Sequence, residues 1–262
     1  MTSEDGISWV TRNTTGADNA WRGLAYGNSL FVAVAYTGIG NRVMTSPDAV
    51  QWTLRQSASD STWQGLAFGN STFVAVSSDT TNNRVMISYD GINWLDYPSA
   101  ANNQWWSVTY GGNGLFVAVA RSGTRNRVMT STNGTTWTTR STAGFDNSWR
   151  AVTWGNGTYV AVADTGVGNR VMTSPDGSVW TARNTTGADN QWYSVVWGAG
   201  LFVAVAATGT GDRVMTSPDG VEWTVRHSAE DIAWKGVAYG DDERTFVAVA
   251  DTGTGNRVMT SS

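Results

Sequence analysis

The feature that most constrains this chain is an internal repeat. The tripeptide Arg-Val-Met begins at six positions spaced 42 to 44 residues apart, namely Arg42, Arg84, Arg127, Arg170, Arg213 and Arg257. A fixed period of this length is typical of repeat architectures, in which each unit buries its apolar face against its neighbours.

Each repeat contains four short segments in the same order, which we call strands A, B, C and D. In the first repeat they run from Trp21 to Gly27, Phe31 to Ala35, Arg42 to Ser46 and Trp52 to Arg55. They are rich in Val, Thr and aromatic residues, lack a helical period and are separated by turn residues, which indicates β-strands. Four strands in about 43 residues make one propeller blade. The sequence therefore predicts an all-β, six-bladed β-propeller with four antiparallel strands per blade, as a single domain over residues 1–262.

The two ends of the sequence predict how the ring closes. The chain starts with Met-Thr-Ser and reaches Met-Thr-Ser again at Met259, the same point of the repeat. The sixth repeat has no strand D of its own, but a further strand D lies between Ile7 and Arg12. Pairing that strand with strand C of the last blade would leave no blade open. We expect the ring to be closed in this way by the N-terminal strand.

Composition argues against several classes of function. The net charge is −4, whereas a nucleic-acid binder needs clustered cations. There is no Cys, so a disulfide framework and a thiolate metal site are excluded. No run of 18 apolar residues occurs, so no membrane insertion is expected. The first residues lack a signal-peptide pattern, and the compartment stays open. We predict no metal, no cofactor and a monomer.

The turn between strands C and D resembles the Asp-box of sialidase-type propellers, whose pattern is Ser-x-Asp-x-Gly-x-x-Trp. It reads Ser-Pro-Asp-Gly-Val-Glu-Trp from Ser217 and Ser-Pro-Asp-Gly-Ser-Val-Trp from Ser174, with Gly and Trp one residue early. Asn133 and Ala49 replace the Asp and the Gly once each. Related copies begin at Ser3, Ser46, Ser88 and Ser131. The resemblance implies a structural turn away from the binding face, and it extends to binding propellers of bacterial surfaces and phage tails.

Catalytic residues of the sialidase type are not evident. Such enzymes need single, non-equivalent residues, whereas the Arg that begins strand C recurs in every repeat, as expected of a scaffold. Only four Glu occur, and no repeat has a convincing Tyr–Glu pair. His227 is the sole histidine, and an exposed loop position explains it better than a role as a base. We therefore predict that the protein is not an enzyme.

A second recurrent set joins strand D to the next strand A. An Arg ends strand D in most repeats, and an Asp follows five or six residues later. The arginines are Arg12, Arg55, Arg140, Arg183 and Arg226, and the aspartates are Asp18, Asp60, Asp146, Asp189 and Asp231. One repeat has Tyr97 and Asn102 instead, so both charges are lost together. We expect the Arg and Asp to form an ion pair that clamps the D–A loop.

The D–A and B–C loops should share one face, opposite the C–D turns. On that face each repeat offers the Trp of strand A and an Asp or Asn three residues earlier. The candidate ligand-binding residues are Trp21, Trp63, Trp105, Trp149, Trp192, Trp234, Asp18, Asp60, Asn102, Asp146, Asp189 and Asp231. An aromatic plane beside hydrogen-bonding groups suits a sugar. The alternative is that these Trp pack between blades. The residue after each Trp varies, which suggests freedom from packing constraints.

Three hypotheses about function follow. The first is a multivalent, lectin-like or adhesin-like propeller that binds a carbohydrate or glycoconjugate through up to six weak sites. The second is a protein–protein interaction scaffold that uses the variable residues Arg121, Arg125, Phe145 and Lys235. The third, least favoured, is a sialidase-like glycoside hydrolase.

Overall fold

The structure, a computed structural model, describes residues 1–13, 18–79, 84–142, 144–185 and 189–261. These residues form strands and turns, with no helix among them, and hence none that could span a membrane. The strands make five four-stranded antiparallel sheets and one three-stranded sheet, each with its strands in chain order. The prediction of an all-β, six-bladed β-propeller is confirmed.

Internal contacts divide the chain into two compact units. The first comprises Met1–Thr2 and Val10–Arg140 and contains blades 1 to 3. Its strands are β1 (Trp21–Gly27), β2 (Leu30–Ala35), β3 (Val43–Ser46), β4 (Thr53–Arg55), β5 (Trp63–Gly69), β6 (Thr72–Ser77), β7 (Val85–Ser88), β8 (Leu95–Tyr97), β9 (Trp105–Tyr110), β10 (Phe116–Ala120), β11 (Val128–Ser131) and β12 (Thr138–Arg140).

The second unit comprises Ser3–Trp9 and Ser141–Ser262 and contains blades 4 to 6. Its strands are β13 (Trp149–Gly155), β14 (Thr158–Ala163), β15 (Val171–Ser174), β16 (Thr181–Arg183), β17 (Trp192–Gly198), β18 (Leu201–Ala206), β19 (Val214–Ser217), β20 (Thr224–Arg226), β21 (Trp234–Gly240), β22 (Thr245–Ala250) and β23 (Val258–Ser261). A single domain over residues 1–262 stays a prediction.

Every blade has a β-bulge at the start of strand A. In blade 1, Trp21 pairs with Ala35 and Gly23 pairs with Val34, so Arg22 is the extra residue between them. The same shift occurs in the other blades. A bulge re-aims the side chain of its extra residue. In this fold that residue is the variable one that follows each Trp.

The C–D turns share one hydrogen-bond pattern. In blade 4, Ser174 Oγ donates to Asp176 Oδ1 at 3.0 Å, and that oxygen accepts from the amides of Ser178 and Val179. Trp180 Nε1 donates to the Gly177 carbonyl at 2.9 Å, which folds the indole over the turn. Asn133 Oδ1 makes the same two backbone contacts in blade 3. These Ser, Asp and Trp side chains therefore hold the turn, as expected.

Neighbouring blades meet through an aromatic ring that lies on a glycine. A Cβ placed on Gly69, at the end of β5, would lie 2.0 Å from Cγ of Tyr110 in the next blade. The same relation joins Gly27 to Phe68, Gly155 to Trp197 and Gly198 to Tyr239. Gly is required here because any side chain would occupy the volume of the ring.

The Trp of strand D fills the core between two blades. Trp94 shares a buried cluster with Val32, Val34 and Val43 of the preceding blade. Trp137 is placed in the same way against blade 2, and Trp223 against blade 4. Strand D therefore contributes more packing than its three residues suggest.

The last blade has a smaller sheet than the other five. Its sheet has three strands among the described residues, β21–β22–β23. Val10 of the N-terminal strand instead forms an antiparallel bridge with Thr2. Met1–Ser3 repeats the strand C sequence, so it offers strand D a partner a few residues away, and a short loop costs less entropy to close than a long one. The N-terminal strand is thus half of a small C–D hairpin. Closure of the ring by this strand stays a prediction.

Replacing Gly69 by Ala is expected to destabilise the protein by about 1–3 kcal/mol, because the new methyl group overlaps the Tyr110 ring. Gly240 is the matched control, since it ends β21 and, within the second unit, a Cβ there meets nothing nearer than the Thr245 carbonyl at 4.0 Å. Gly240→Ala should leave stability unchanged or slightly raised. Urea unfolding followed by Trp fluorescence measures both variants, and equal losses would contradict the proposed packing.

The carboxylates of the C–D turns should make the free energy of unfolding depend on pH. The Gln51 and Val50 amides lower the pKa of Asp48 below its ordinary 3.8, and the Val179 and Ser178 amides do so for Asp176. A lowered pKa in the folded state contributes stability above the unfolded value, which is lost as pH falls through the folded value. The double variant Asp48→Asn, Asp176→Asn should therefore lose less stability than wild type between pH 7 and pH 3.

Thermal melts at the two pH values measure this difference. Because Asn133 holds its turn without a charge, the double variant should remain folded at pH 7. Asp242→Asn, which removes an exposed charge outside the C–D turns, is the control and should keep the wild-type pH dependence. An identical fall in Tm for wild type and double variant would rule out the turn carboxylates as its cause.

Candidate functional site

The Trp residues proposed to bind ligand are mostly core residues. Trp63, Trp105, Trp149, Trp192 and Trp234 are fully buried. Several are also tied to the D–A loop, as in the donation from Trp105 Nε1 to the Ala101 carbonyl at 3.1 Å. Only Trp21 is partly exposed. The packing alternative accounts for the five buried indoles, because a sugar needs an exposed ring face on which to stack.

The aspartates of the D–A loops bind the B–C loop. Asp60 Oδ1 accepts from the Gly40 amide at 2.6 Å and lies 3.7 Å from Nε of Arg42. Asp189 and Asp231 make equivalent contacts with Gly168 and Arg170 and with Gly211 and Arg213. Asp18, Asn102 and Asp146 are exposed. Asp60, Asp189 and Asp231 therefore each form an ion pair, and the cation is the Arg that begins strand C and not the Arg that ends strand D.

The Arg at the end of strand D has another partner. Arg55 Nε donates to Thr45 Oγ1 on strand C at 3.0 Å, and the equivalent bond recurs at Arg12, Arg140, Arg183 and Arg226. The predicted pairing of these arginines with Asp was wrong. Strand D pairs with strand C, and the Thr hydroxyl of strand C lies within hydrogen-bonding distance of the Arg side chain. The sequence carried a signal for this arrangement. Where Tyr97 replaces the Arg, Ile87 replaces the Thr.

The Arg that begins strand C is tied to loop carbonyls. Arg42 donates to the carbonyls of Gly38, Tyr36 and Ser61. The guanidinium therefore organises the loops around the strand end, as expected of a scaffold residue. His227 is exposed in a D–A loop, with Nδ1 3.0 Å from the Gly211 carbonyl oxygen.

The bulge residues come together within each unit, and we treat them as the candidate site. In the first unit they are Arg22, Gln64 and Trp106. Arg22 lies over the Trp106 ring, with Cζ 4.9 Å from the ring centroid, and Arg121 lies over the same ring at 4.6 Å. Gln64 Nε2 donates to Ser78 Oγ at 3.0 Å, whereas its Oε1 is buried without a hydrogen-bond partner.

The bulge residues of the second unit are Arg150, Tyr193 and Lys235. Both cations lie on the Tyr193 ring, Arg150 Cζ at 4.4 Å and Lys235 Nζ at 3.5 Å from the centroid. Arg150 forms a buried ion pair with Asp164, and its Nε donates to Asp164 Oδ2 at 2.6 Å. Lys235 lies 3.7 Å from the more exposed Asp251. Each cation of this set is thus matched by a carboxylate.

The residue after strand B completes both sets. This position holds Tyr36, Ser78, Arg121, Asp164, Ala207 and Asp251, so it varies as the bulge position does. Its backbone amide bonds to the residue before strand A, as Arg121 does to Gln104 at 2.9 Å. Two variable positions per blade are therefore adjacent. Of the other residues expected on an interaction face, Phe145 is partly exposed and Arg125 has a positive φ of 58°.

Comparison with solved structures shows the propeller fold at low sequence identity. Virginiamycin B lyase from Staphylococcus aureus matches with a TM-score of 0.76 and 12% identity, over 95% of this chain and 86% of that one. YCF48 bound to D1 peptide matches at 0.66 and 14%, over 94% and 82%. A chain of a Nidogen/Laminin complex matches at 0.59 and 12%, over 83% and 84%. No protein-family model and no curated protein matches the chain.

These comparisons change two expectations. The propeller fold stands, but no family model supports the finer resemblance to sialidase-type propellers. The prediction that the protein is not an enzyme was wrong in its reasoning, since a matched propeller is a lyase. Lacking the residues of one enzyme type does not make a chain of this fold non-enzymatic.

The ion pairs of the second unit should differ sharply in energy. Asp164→Ala leaves the Arg150 charge buried, and we expect a loss of about 3–5 kcal/mol in unfolding free energy. Asp251→Ala removes an exposed partner of Lys235 and should cost less than about 1 kcal/mol. Urea unfolding measures both. Similar losses for the two variants would show that Asp164 does not neutralise a buried charge.

Proposed function

We propose that this propeller is a protein-interaction module that binds an acidic segment of a partner protein at the bulge residues of the first unit. The observation that carries the proposal is the pair of guanidinium groups on one indole, Arg22 and Arg121 on Trp106. These positions vary while the residues around them repeat, as expected of positions used for recognition.

The chemistry of the set suits a carboxylate. A guanidinium offers parallel N–H donors that match the two oxygens of an Asp, a Glu or a chain terminus. Stacking on Trp106 restricts each guanidinium, so less side-chain freedom is lost on binding. Trp and Arg are also the residue types that dominate binding energy in protein interfaces.

The two units carry different charges at these positions. In the second unit Arg150 and Lys235 face Asp164 and Asp251. In the first unit the bulge residues and the residues after strand B include two Arg and no carboxylate. Gln64 lies in the blade between those of Arg22 and Trp106 and is an uncharged member of the set.

A protein partner is supported better than a saccharide. The indoles proposed to stack on sugars are buried in five blades. Among the matched propellers, one is bound to a peptide and another lies in a protein complex. An acidic peptide can form ion pairs with Arg22 and Arg121 as well as contacts with Trp106, whereas a neutral sugar has no charge to pair with the two guanidinium groups.

The test starts with a phage-displayed random peptide library selected on the unmodified protein. We expect acidic peptides to be enriched, with binding that weakens as salt rises. For a selected peptide labelled with fluorescein, Trp106→Ala and Arg22→Ala should each raise Kd about tenfold or more. Arg22 is exposed, so its variant stays informative if Trp106→Ala does not fold.

Tyr89→Ala is the matched control, because Tyr89 is 61% exposed and lies at a C–D turn. Its Kd should equal that of wild type. Selected peptides without acidic residues, or an unchanged Kd in Arg22→Ala, would refute the proposal. Glycan-array binding that is retained by both variants would favour the saccharide hypothesis instead.

A further inference from the structure

Blade 6 contains an apolar groove. It has a volume of about 550 Å³ and lies between blades 5 and 6. Its walls are apolar, with Val203, Val205 and Val214 on one side and Val237, Phe246 and Met259 on the other. Among the residues that the structure describes, β23 has β22 as its one neighbour in the sheet.

The repeat shows what would fill the groove. Val203, Val205 and Val214 are equivalent to Val32, Val34 and Val43, which share a buried cluster with Trp94 of strand D in blade 2. The wall residues of blade 5 therefore correspond to those that surround a strand D Trp elsewhere. The groove is the vacant position of a strand D and its Trp.

The groove also contains a hydrogen-bonding partner for the Arg of a strand D. In complete blades the Arg of strand D donates to the Thr in the middle of strand C, as Arg226 does to Thr216 at 2.9 Å. Thr260 is the equivalent Thr of β23 and lines the groove. An incoming strand with Trp followed three residues later by Arg would therefore satisfy both ends.

The chain carries such a strand outside any blade. Trp9-Val10-Thr11-Arg12 has the strand D spacing, and Arg12 Nε already donates to Thr2 Oγ1 at 2.8 Å. Its attachment to Thr2 is one bridge, whereas strands D of complete blades pair over three residues. Ile7 and Val10 are exposed by 74% and 52%. The strand is thus weakly held where it lies.

The turn of the N-terminal hairpin, residues 3–9, contacts other residues of blade 6. A Cβ on Gly6 would meet Val247 at 3.1 Å and Thr260 at 3.6 Å. Gly134 of blade 3 meets the equivalent residues of blade 2, Val74 and Ile87. The turn of the hairpin, residues 3–9, therefore occupies the position of a C–D turn of a following blade, and Trp9 is not among the residues that line the groove.

We propose that the groove of blade 6 accepts strand D of a second copy of this chain, its residues 7–12, by β-strand addition. The added strand pairs with β23, places Trp9 between blades 5 and 6, and directs Arg12 to Thr260. Reciprocal exchange gives a closed dimer with two equivalent junctions. Pairing also covers an open sheet edge, which proteins generally avoid exposing.

A disulfide test identifies the donor of the strand. In the register of the complete blades Val10 lies opposite Thr260, at a Cα separation that a disulfide can span. Because the chain has no Cys, only introduced residues can react. Val10→Cys and Thr260→Cys are made in separate proteins, mixed and oxidised. We expect about tenfold more linked heterodimer than from Val10→Cys mixed with Val167→Cys, an 86% exposed control.

The unmodified protein supplies an independent measurement. Sedimentation equilibrium should show a dimer, and excess synthetic peptide with the sequence of residues 217–226 should convert it to monomer. The same peptide with Trp223→Ala should have no effect. A monomer at all concentrations would overturn the proposal. An intrachain disulfide in the Val10→Cys, Thr260→Cys double variant, with none between mixed single variants, would overturn it by making the chain's own strand the occupant.

Discussion

The contact between an aromatic ring and a glycine joins one blade to the next. Each blade is a small sheet that cannot cover its own apolar face, so stability requires a close partner on both sides. The rings of Phe68, Tyr110, Trp197 and Tyr239 approach the preceding strand A so closely that only Gly fits. The Trp of strand D then fills the remaining space beside the same pair of blades.

This packing leaves the bulge residue of each blade outside the contacts between an aromatic ring and a glycine. The bulge at the start of strand A places one residue per blade outside the regular ladder. The residue type varies at this position. Arg22 contacts Trp106 in the first unit, and Arg150 contacts Tyr193 in the second. A rigid, repetitive framework with variable residues on one face is suited to recognition, because the variable residues can change without disturbing the core.

The same packing also explains why the last blade stands out. A blade without strand D lacks a Trp, and the valines that would surround that Trp line a groove instead. The open edge of β23 and the loosely attached strand near the N-terminus are complementary in sequence and in hydrogen-bonding pattern. The proposed strand exchange would pair the same two elements of the repeat, strands C and D, between two copies of the chain.

Much of the fold could be predicted because each strand and turn motif occurs in several repeats. The strand order, the C–D turn and the Trp-Thr-x-Arg strand recur, so a secondary-structure prediction for one blade can be checked against the other blades. The partners of individual side chains could not be predicted in the same way. Asp60 was expected to meet Arg55, yet it meets Arg42, because the B–C and D–A loops approach each other only in the folded blade.

The amino-acid sequence by itself determined the blades and their number, since hydrophobic alternation and turn residues act over a few positions and repeat with a fixed period. Only the tertiary structure decided which rings are buried, which residues lie in bulges and where the N-terminal strand pairs. Those outcomes depend on contacts between residues tens to hundreds of positions apart. Such contacts are set by the packing of the folded strands and loops, and the sequence marks the positions without stating which residues they contact.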